Sequence, residues 1–392
     1  MAELSLNKVS IDGFRGLRNL SLDGLGPLNI LVGDNNSGKT SVLEALSILC
    51  NPYHPYEWLA MVRRRDFGGL DETRVQSLRW CFRQTGQLVD PDFMFDGHCE
   101  MTCMGKFPLR KLTVEYKDIV GEPSAREMER MRRFRRGSRA SLEMEEEWRG
   151  AEITHYAEFD PEASNGDLAQ SGTISTNEPI VIQLWEEDPM VGRPYRPQRK
   201  GNLATDTLTP YSYQLNRLQV RSHSFASLAA SKEGRHNVIE LITEFDSDIL
   251  DIDILSLRGR DPAIYLRHKT LGPAPLSIFG DALRRAVLLA STLHMLKGGG
   301  ILLIDELETG IHVSALAGVF AWLANAAQHL NVQVIATTHS LEAVDAIAQS
   351  MTDRIDDLVT FHLKQTERET IARRIPGELL LRLRCESGLD VR

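Results

Sequence analysis

The chain has 392 residues, of which 42% are hydrophobic and 25% are charged, so it can form one large domain with an insertion or two domains. Its formal net charge of −9 gives no global attraction to DNA or to an anionic membrane surface. The first residues lack the basic and apolar segments of a signal peptide, and no apolar run is long enough to span a bilayer. These features predict a soluble, cytoplasmic protein.

The five cysteines are scattered along the chain, and their odd number disfavours a disulfide framework. His98, Cys99 and Cys103 could begin a metal site, but no second ligand pair follows at the spacing of a zinc site. We therefore favour structural or free thiols over a metal centre.

The N-terminal part predicts a strand, a phosphate-binding loop and a helix in that order. Residues 5–12 and 28–33 have the apolar character of strands, and residues 38–49 place apolar side chains at helical spacing. The sequence GDNNSGKT at residues 33–40 matches the motif G-x4-G-K-[ST]. In such a loop the backbone N–H groups surround the phosphates, and the following helix adds its positive N-terminal end.

The loop motif also assigns candidate roles to side chains. Lys39 is expected to reach the β- and γ-phosphates of a nucleotide, and the hydroxyl of Thr40 to ligate Mg²⁺. The predicted nucleotide-binding residues in this loop are Gly33, Asn35, Asn36, Ser37, Gly38, Lys39, Thr40 and Ser41.

The middle of the chain is less regular. Residues 76–83 and 112–119 are predicted strands, and residues 124–149 form a charged, helical stretch with arginines in its first half and glutamates in its second. We favour a solvated helical hairpin whose opposite charges pair, and the alternative is an arm that binds DNA or a partner. The stretch is too short for the long coiled coil of a chromosome-organising ATPase.

From about residue 211 the predicted elements alternate again. Helices are predicted at 225–246, 281–296, 313–329 and 341–350, and strands at 250–257, 262–268, 301–304 and 332–339. Alternating apolar strands and helices predict a parallel sheet that is covered on both faces.

Two carboxylates follow the apolar run Ile301–Ile304, at the end of the sheet where ligands bind in open α/β folds. We expect Asp305 to hold Mg²⁺ through water, and Glu306 to orient and deprotonate an attacking water. Because side chains alternate along a strand, Glu306 is expected to point away from Asp305. The alternative is that Glu306 is an acidic strand end without a role in catalysis.

The distance between the two halves of the site indicates the subclass. Lys39 and Asp305 are 266 positions apart, which is the layout of ABC-type heads with a large inserted segment. Such heads need a signature loop, and Ser277 and Gly280 begin a helix shortly before Asp305. Helix-start N–H groups and the hydroxyl could contact a γ-phosphate. An ordinary serine N-cap is the alternative for Ser277.

Further polar positions complete the candidate set. His339 ends an apolar strand and is expected to contact the γ-phosphate and sense its presence, although a structural histidine at a strand end is the alternative. Residues 308–312 are expected at a dimer seam. Asp251 and Asp253 imitate a metal-binding D-x-D motif, but they precede the signature loop, so we interpret them as acids at a strand edge.

The order of these segments resembles the RecF/OLD-like branch of ABC-type P-loop ATPases, and especially the small stand-alone AAA-type ATPases related to the OLD and Gabija nucleases. The segments that carry the resemblance are FRGL (14–17), GDNNSGKT, PLSIFGDALRR, LLIDELETGIH and ATTHS. The resemblance implies an α/β fold with a central, mostly parallel sheet and an inserted, partly helical middle segment. The predicted parts are 1–50 and 211–392 for the ATPase head and 51–210 for the inserted lobe.

The resemblance also implies an activity and partners. ATP is expected to be bound with Mg²⁺ between two heads and hydrolysed, with Ser277 and Gly280 of one subunit completing the site of the other. OLD-type nucleases carry a TOPRIM nuclease domain after the head, and the 53 residues that follow His339 are too few for one. We therefore expect no nuclease activity in this chain.

Three functions follow from this reasoning. The first is a dimeric nucleotide switch that controls a separate nuclease effector in DNA processing or phage defence. The second is a RecF-like clamp that binds DNA in repair, which salt-dependent DNA binding would favour. The third, the ATPase subunit of a membrane transporter, is disfavoured because transport heads are compact and lack an insertion of this size.

Overall fold

The computed structural model describes residues 4–65, 73, 75–83, 94–125, 128–129, 148–160, 179–186, 202–210, 212, 231–255 and 263–392. The strands are β1 (Lys8–Asp12), β2 (Leu20–Asp23), β3 (Leu28–Gly33), β4 (Asp96–Met104), β5 (Leu109–Gly121), β6 (Trp148–Phe159), β7 (Ile180–Trp185), β8 (Thr205–Leu208), β9 (Ile249–Leu255), β10 (Ala263–His268), β11 (Gly272–Pro275), β12 (Ile301–Ile304), β13 (Gln333–Thr337), β14 (Leu358–Gln365) and β15 (Thr370–Pro376). The α-helices are α1 (Lys39–Cys50), α2 (Pro55–Arg65), α3 (Lys232–Thr243), α4 (Asp281–Met295), α5 (Val313–Leu330), α6 (Leu341–Ser350) and α7 (Gly377–Leu381).

The main sheet has the strand order β15-β14-β3-β13-β12-β8. Its strands are parallel to their neighbours except β15, which pairs with β14 in the antiparallel sense. Strands β3, β12 and β13 are buried along their whole length, as expected of parallel strands covered on both faces. The prediction of an α/β fold with a central, mostly parallel sheet is confirmed.

Alternate side chains of the main sheet enter two different cores. On β12, Leu302 and Ile304 pack in the core that contains buried residues of α3, α4, α5 and α6. Ile301 and Leu303 of the same strand belong to the other core, together with α1 and the second sheet. Because successive side chains of a strand point to opposite faces, both faces of the main sheet are buried in a core.

The second sheet has the order β2-β1-β4-β5-β6-β7, and each of its pairs is antiparallel. Strands β4 to β7 come from the predicted inserted lobe and extend the sheet that β1 and β2 begin. Strand β8, from the end of the same predicted lobe, instead pairs with β12 in the main sheet. The domain boundaries at 50 and 210 stay a prediction. A third, antiparallel sheet, β11-β10-β9, leads into α4.

One prediction of local structure in the middle of the chain is wrong. Residues 76–83 were expected to form a strand, but Gln76–Cys81 is a 3₁₀ helix. The buried residues Val75, Leu78 and Cys81 recur every third position, which fits a 3₁₀ helix and not the period of two of a strand. Most of the predicted charged helix at 124–149 lies outside the described residues, and Trp148 begins β6. Across the described chain, every helix is too short or too polar to cross a membrane.

Candidate functional site

The loop between β3 and α1 adopts a backbone that only a few residue types tolerate. Asn36 and Gly38 have φ values of 65° and 95°, in the left-handed region that favours Asn and Gly. At Gly33 a Cβ would lie 2.3 Å from the carbonyl oxygen of Leu363, so no other residue fits there. Gly38 is the N-cap of α1, makes no side-chain cap and precedes a first turn without acidic residues. The N–H groups of this helix end therefore suit an anion.

Lys39 lies across this loop and is almost completely buried. Its ammonium donates to the carbonyl oxygens of Gly33 at 2.7 Å and of Asp34 at 2.9 Å. Burial lowers the pKa of Lys39, and the carboxylates of Asp305, Asp34 and Glu308 oppose that shift. These acids favour the charged form of Lys39, which is the form that would bind phosphate.

The tertiary structure brings Thr40 and Asp305 together at the carboxyl end of the main sheet. The hydroxyl of Thr40 donates to Asp305, with its oxygen 3.1 Å from Oδ1 and 3.2 Å from Oδ2. The backbone N–H of Asp305 donates to the carbonyl of Leu208 at 2.8 Å. Burial raises the pKa of Asp305, and hydrogen bonds from Thr337 and Thr40 act in the opposite direction. A hydroxyl beside a carboxylate is a set of hard oxygen donors that fits Mg²⁺.

Glu306 does not continue the strand that precedes it. Strand β12 ends at Ile304, and Glu306 has a φ of 51° in the left-handed region. Its carboxylate accepts from the hydroxyl of Thr309 at 2.9 Å. The strand alternation from which the direction of Glu306 was predicted therefore does not apply at this residue, because a turn sets the direction of its side chain. A non-glycine residue in this region costs about 1–3 kcal/mol and is typical of functional sites.

His339 lies in the turn between β13 and α6, and its side chain is exposed. Its backbone N–H donates to Oε1 of Glu308 at 3.0 Å, and its carbonyl accepts from Arg392 at 3.2 Å. The structure thus places the peptide of His339 directly beside the loop that follows Asp305. Ser340 caps α6 by accepting from the N–H of Ala343.

Ser277 and Gly280 lie on an exposed loop before α4. Gly280 and not Ser277 is the N-cap of α4, so the N-cap alternative for Ser277 is wrong. Within the described residues, no hydrogen bond joins Ser277 or Gly280 to the loop at 33–40 or to Asp305. The neighbouring Ile278 is 61% exposed, so this loop presents an apolar side chain at the surface.

Several side chains at the site were not selected from the sequence. Glu44, one helical turn after Thr40, forms a buried ion pair with Arg15 at 2.7 Å. The hydroxyl of Thr337 donates to Asp305, and Glu308, which was predicted only to lie at a dimer seam, accepts from the N–H of His339. Glu44 could have been found from its i+4 spacing to Thr40 on α1. Thr337 could have been found as a polar residue that ends a buried strand.

The other candidate metal motifs are accounted for by protein contacts. Asp251 and Asp253 are ion-paired with Arg235 and Arg267, which fits the interpretation as strand-edge acids. Asp246, Asp248 and His268 bring ligand atoms within 4.8 Å of one another. However, Asp248 forms an ion pair with Lys269, and Nε2 of His268 lies 3.3 Å from Asp246, so protein contacts account for this cluster.

The cysteine motif on β4 is also structural. Cys99 and Cys103 point into the core, and His98 is exposed on the opposite side of the strand. Burial raises the pKa of the Cys99 thiol, and it raises that of Cys103 to about 12. Neutral, buried thiols that face away from His98 do not form the predicted alternative of a metal site.

The chain is similar in sequence to characterised proteins and in fold to solved structures. An ATP/GTP phosphatase of Helicobacter pylori is 21% identical over 400 residues, which cover 96% of each chain. RecF, the DNA replication and repair protein, is 48% identical in Stutzerimonas stutzeri over 46 residues, about an eighth of each chain. Among solved structures, an SMC head bound to the C-winged helix domain of ScpA covers 95% of this chain and 98% of its own, with 11% identity and a TM-score of 0.47. The SMC head domain of Thermotoga maritima gives 13% identity and a TM-score of 0.43.

Two family models also match the sequence. Residues 163–345 match an AAA domain model named for the AbiEii toxin of Type IV TA systems. Residues 5–249, which are more than half of the chain and include the loop at 33–40, match the AAA ATPase domain. With its P-loop, its parallel sheet and this match, the chain belongs to the AAA ATPase domain family.

Proposed function

We propose that this protein binds ATP with Mg²⁺ and hydrolyses it, and that it acts as a dimeric nucleotide switch for a separate effector. One observation carries the ATPase proposal. Lys39, whose ammonium is buried, and Thr40 are the first two residues of α1, which has no side-chain cap at its N-terminus. The hydroxyl of Thr40 donates to the carboxylate of Asp305, although the two residues are distant in sequence. Cation, helix end and carboxylate are the parts that phosphoryl transfer needs.

The residues divide into proposed roles by their chemistry. The loop from Gly33 to Ser41 and the ammonium of Lys39 would bind the phosphates. Thr40 and Asp305 would hold Mg²⁺, which supplies charge neutralisation for a transferring phosphoryl group. Glu306 would orient the attacking water as general base, and His339 would contact the γ-phosphate. The ATP/GTP phosphatase of Helicobacter pylori, similar over its whole length, supports hydrolysis as the reaction.

The switch proposal depends on a second copy of the chain. Ser277 and Gly280 are exposed on the loop before α4 and make no hydrogen bond to the phosphate loop of their own chain within the described residues. Their proposed role is therefore to complete the ATP site of a partner subunit. The sequence resemblance to the small ATPases related to OLD and Gabija supports a separate nuclease, in DNA processing or phage defence, as the effector.

Lys39→Ala tests the ATPase site. The loss of a lysine that hydrogen-bonds phosphate removes charge-assisted bonds of about 1.5–3 kcal/mol each, so we expect ATP affinity to fall by at least about ten-fold. Equilibrium nucleotide binding and phosphate release are measured on the wild type and on Lys364→Ala, an exposed lysine of β14, as the control. A folded Lys39→Ala variant with wild-type affinity would refute the assignment.

The alternative function is a DNA-binding repair clamp. The matches of about 46 residues to RecF proteins support it, although they cover only an eighth of this chain. A clamp would bind duplex DNA with an affinity that falls steeply as salt rises. Binding of labelled duplex at two salt concentrations, with and without ATP, separates this function from a switch that contacts only its effector.

A further inference from the structure

Thr337 is the last residue of β13, the strand between the phosphate-loop strand β3 and the Asp305 strand β12. It is opposite Leu31 in the register with β3, and it is 1% exposed. A threonine at this position lies between the two halves of the proposed ATP site. Because it is buried, water cannot replace the hydrogen bonds of its hydroxyl.

The hydroxyl of Thr337 makes two hydrogen bonds at once. It donates to Oδ1 of Asp305 at 2.7 Å, and it accepts from the backbone N–H of Glu306 at 2.9 Å. A hydroxyl has one hydrogen and two lone pairs, so both bonds form together and fix its rotation. The stiff χ1 of a β-branched side chain holds the oxygen in this place.

The backbone of Thr337 also hydrogen-bonds the segment that follows Asp305. Its carbonyl accepts from the N–H of Leu307 at 3.0 Å. One residue therefore holds three consecutive residues, which include Asp305 and Glu306. Since Glu306 is in the left-handed region, with a φ of 51°, a fixed N–H helps to keep a backbone that few residues adopt.

We propose that Thr337 is a positioning residue for hydrolysis, and that its hydroxyl sets the orientation of the Asp305 carboxylate and of the Glu306 backbone. The inference rests on the ATPase function proposed above. Thr337 touches neither phosphate nor water in this role and acts through its two neighbours. Its loss should therefore lower kcat more than the affinity for ATP.

The experiment compares Thr337→Val with Thr337→Ser in the full chain. Valine keeps the shape and removes the hydroxyl, whereas serine keeps the hydroxyl and removes the methyl group. Misplacement of catalytic groups by small distances lowers rates by up to about 100-fold, so we expect kcat to fall about 10- to 100-fold in Thr337→Val. KM for ATP should change by less than about three-fold, and Thr337→Ser should recover most of kcat.

Thr360→Val is the matched control. Thr360 is fully buried on β14, on the other side of β3, and its hydroxyl has no hydrogen-bond partner among the described residues. Its replacement should leave kcat within about two-fold of the wild type, because no polar contact is lost. If Thr337→Val keeps the wild-type kcat, or if Thr337→Ser falls as far as valine, the hydroxyl has no positioning role.

A second measurement does not depend on activity. Residue-resolved hydrogen exchange should show at least about ten-fold faster exchange of the Glu306 amide in Thr337→Val. The Leu307 amide, bonded to the backbone carbonyl of Thr337, should keep its protection and serves as an internal control. Unchanged exchange at Glu306 would overturn the inference. Absence of ATP hydrolysis by the wild type, or full activity of Lys39→Ala, would instead refute the proposed function.

Discussion

At Glu306 the backbone leaves the strand and turns into the left-handed region, and its side chain is held by the hydroxyl of Thr309. Asp305, the residue before Glu306, accepts hydrogen bonds from the hydroxyls of Thr40 and Thr337. The two adjacent carboxylates therefore have separate hydrogen-bond partners. This separation is consistent with different proposed roles, one as a metal ligand and one as a base.

Glu306→Gln tests that difference at the scale of one residue. Glutamine keeps the size and an acceptor for Thr309 but cannot take a proton from water. General-base catalysis contributes about 10²–10⁴-fold, so we expect hydrolysis to fall by about two orders of magnitude or more with ATP affinity nearly unchanged. Steady-state phosphate release and equilibrium binding are measured on the same preparation.

Two further variants serve as comparisons for Glu306→Gln. Asp305→Asn should weaken Mg²⁺-dependent binding of ATP, and His339→Ala should slow turnover while binding is retained. Equal losses of binding and turnover in Glu306→Gln would make it a binding residue. A turnover near that of the wild type would leave it a structural acid at the end of the strand.

At the scale of elements, α2 is joined to the second sheet by a buried hydrogen bond. The indole N–H of Trp58 donates to Nε2 of His155 on β6 at 2.9 Å. The ring of Trp58 also stacks on Phe82, with centroids 5.3 Å apart. Because Nε2 of His155 accepts a hydrogen bond from the indole N–H of Trp58, this contact requires the neutral imidazole.

His155 should make the stability of the protein depend on pH. Burial lowers the pKa of His155 from 6.5 to about 4. Between these pH values His155 is therefore neutral in the folded protein and protonated in the unfolded chain. Its contribution is present above pH 6.5 and is lost as the pH falls from 6.5 towards 4. At pH 5 the loss from this residue amounts to about 2 kcal/mol.

Denaturant unfolding at pH 7 and pH 5 measures this loss. His155→Gln keeps an acceptor for Trp58 and cannot be protonated, so its stability should change less between the two pH values than that of the wild type. His98→Gln replaces an exposed histidine of β4 and should retain the wild-type difference. The same loss of stability in His155→Gln and in the wild type would contradict the prediction.

At the scale of the whole molecule, the proposed dimer needs a surface on which two chains can meet. The loop with Ser277 and Gly280 is exposed, and Ile278 beside it is 61% exposed. Val313, which begins α5 after the loop at 308–312, is also 61% exposed. These exposed apolar side chains could be buried in a contact with a second chain.

We predict that ATP drives this dimerisation. Light scattering of Glu306→Gln, which should retain ATP, is expected to give the mass of a monomer without nucleotide and of a dimer with it. Ser277→Arg should prevent the change in mass and reduce hydrolysis by at least about ten-fold, since it places a bulky cation in the contact. Ser387→Arg, at an exposed serine elsewhere, is the control. An ATP-independent mass, with full hydrolysis by Ser277→Arg, would exclude this assembly.

The sequence alone determined the features that depend on near neighbours. The phosphate loop between β3 and α1 follows from its glycines and from the apolar periods on either side, because backbone freedom and side-chain period are local properties. For the same reason the strands β12 and β13 and the helices α4 to α6 were predicted close to their observed bounds.

Only the tertiary structure decided the contacts between distant segments. Thr40 meets Asp305, and Thr337 holds both Asp305 and Glu306, because β13 lies between β3 and β12 in the sheet. The order of strands depends on the burial of the whole chain, and no local pattern encodes it. The left-handed turn at Glu306 was missed for the same reason, since its backbone is held by hydrogen bonds from residues that are far away in sequence.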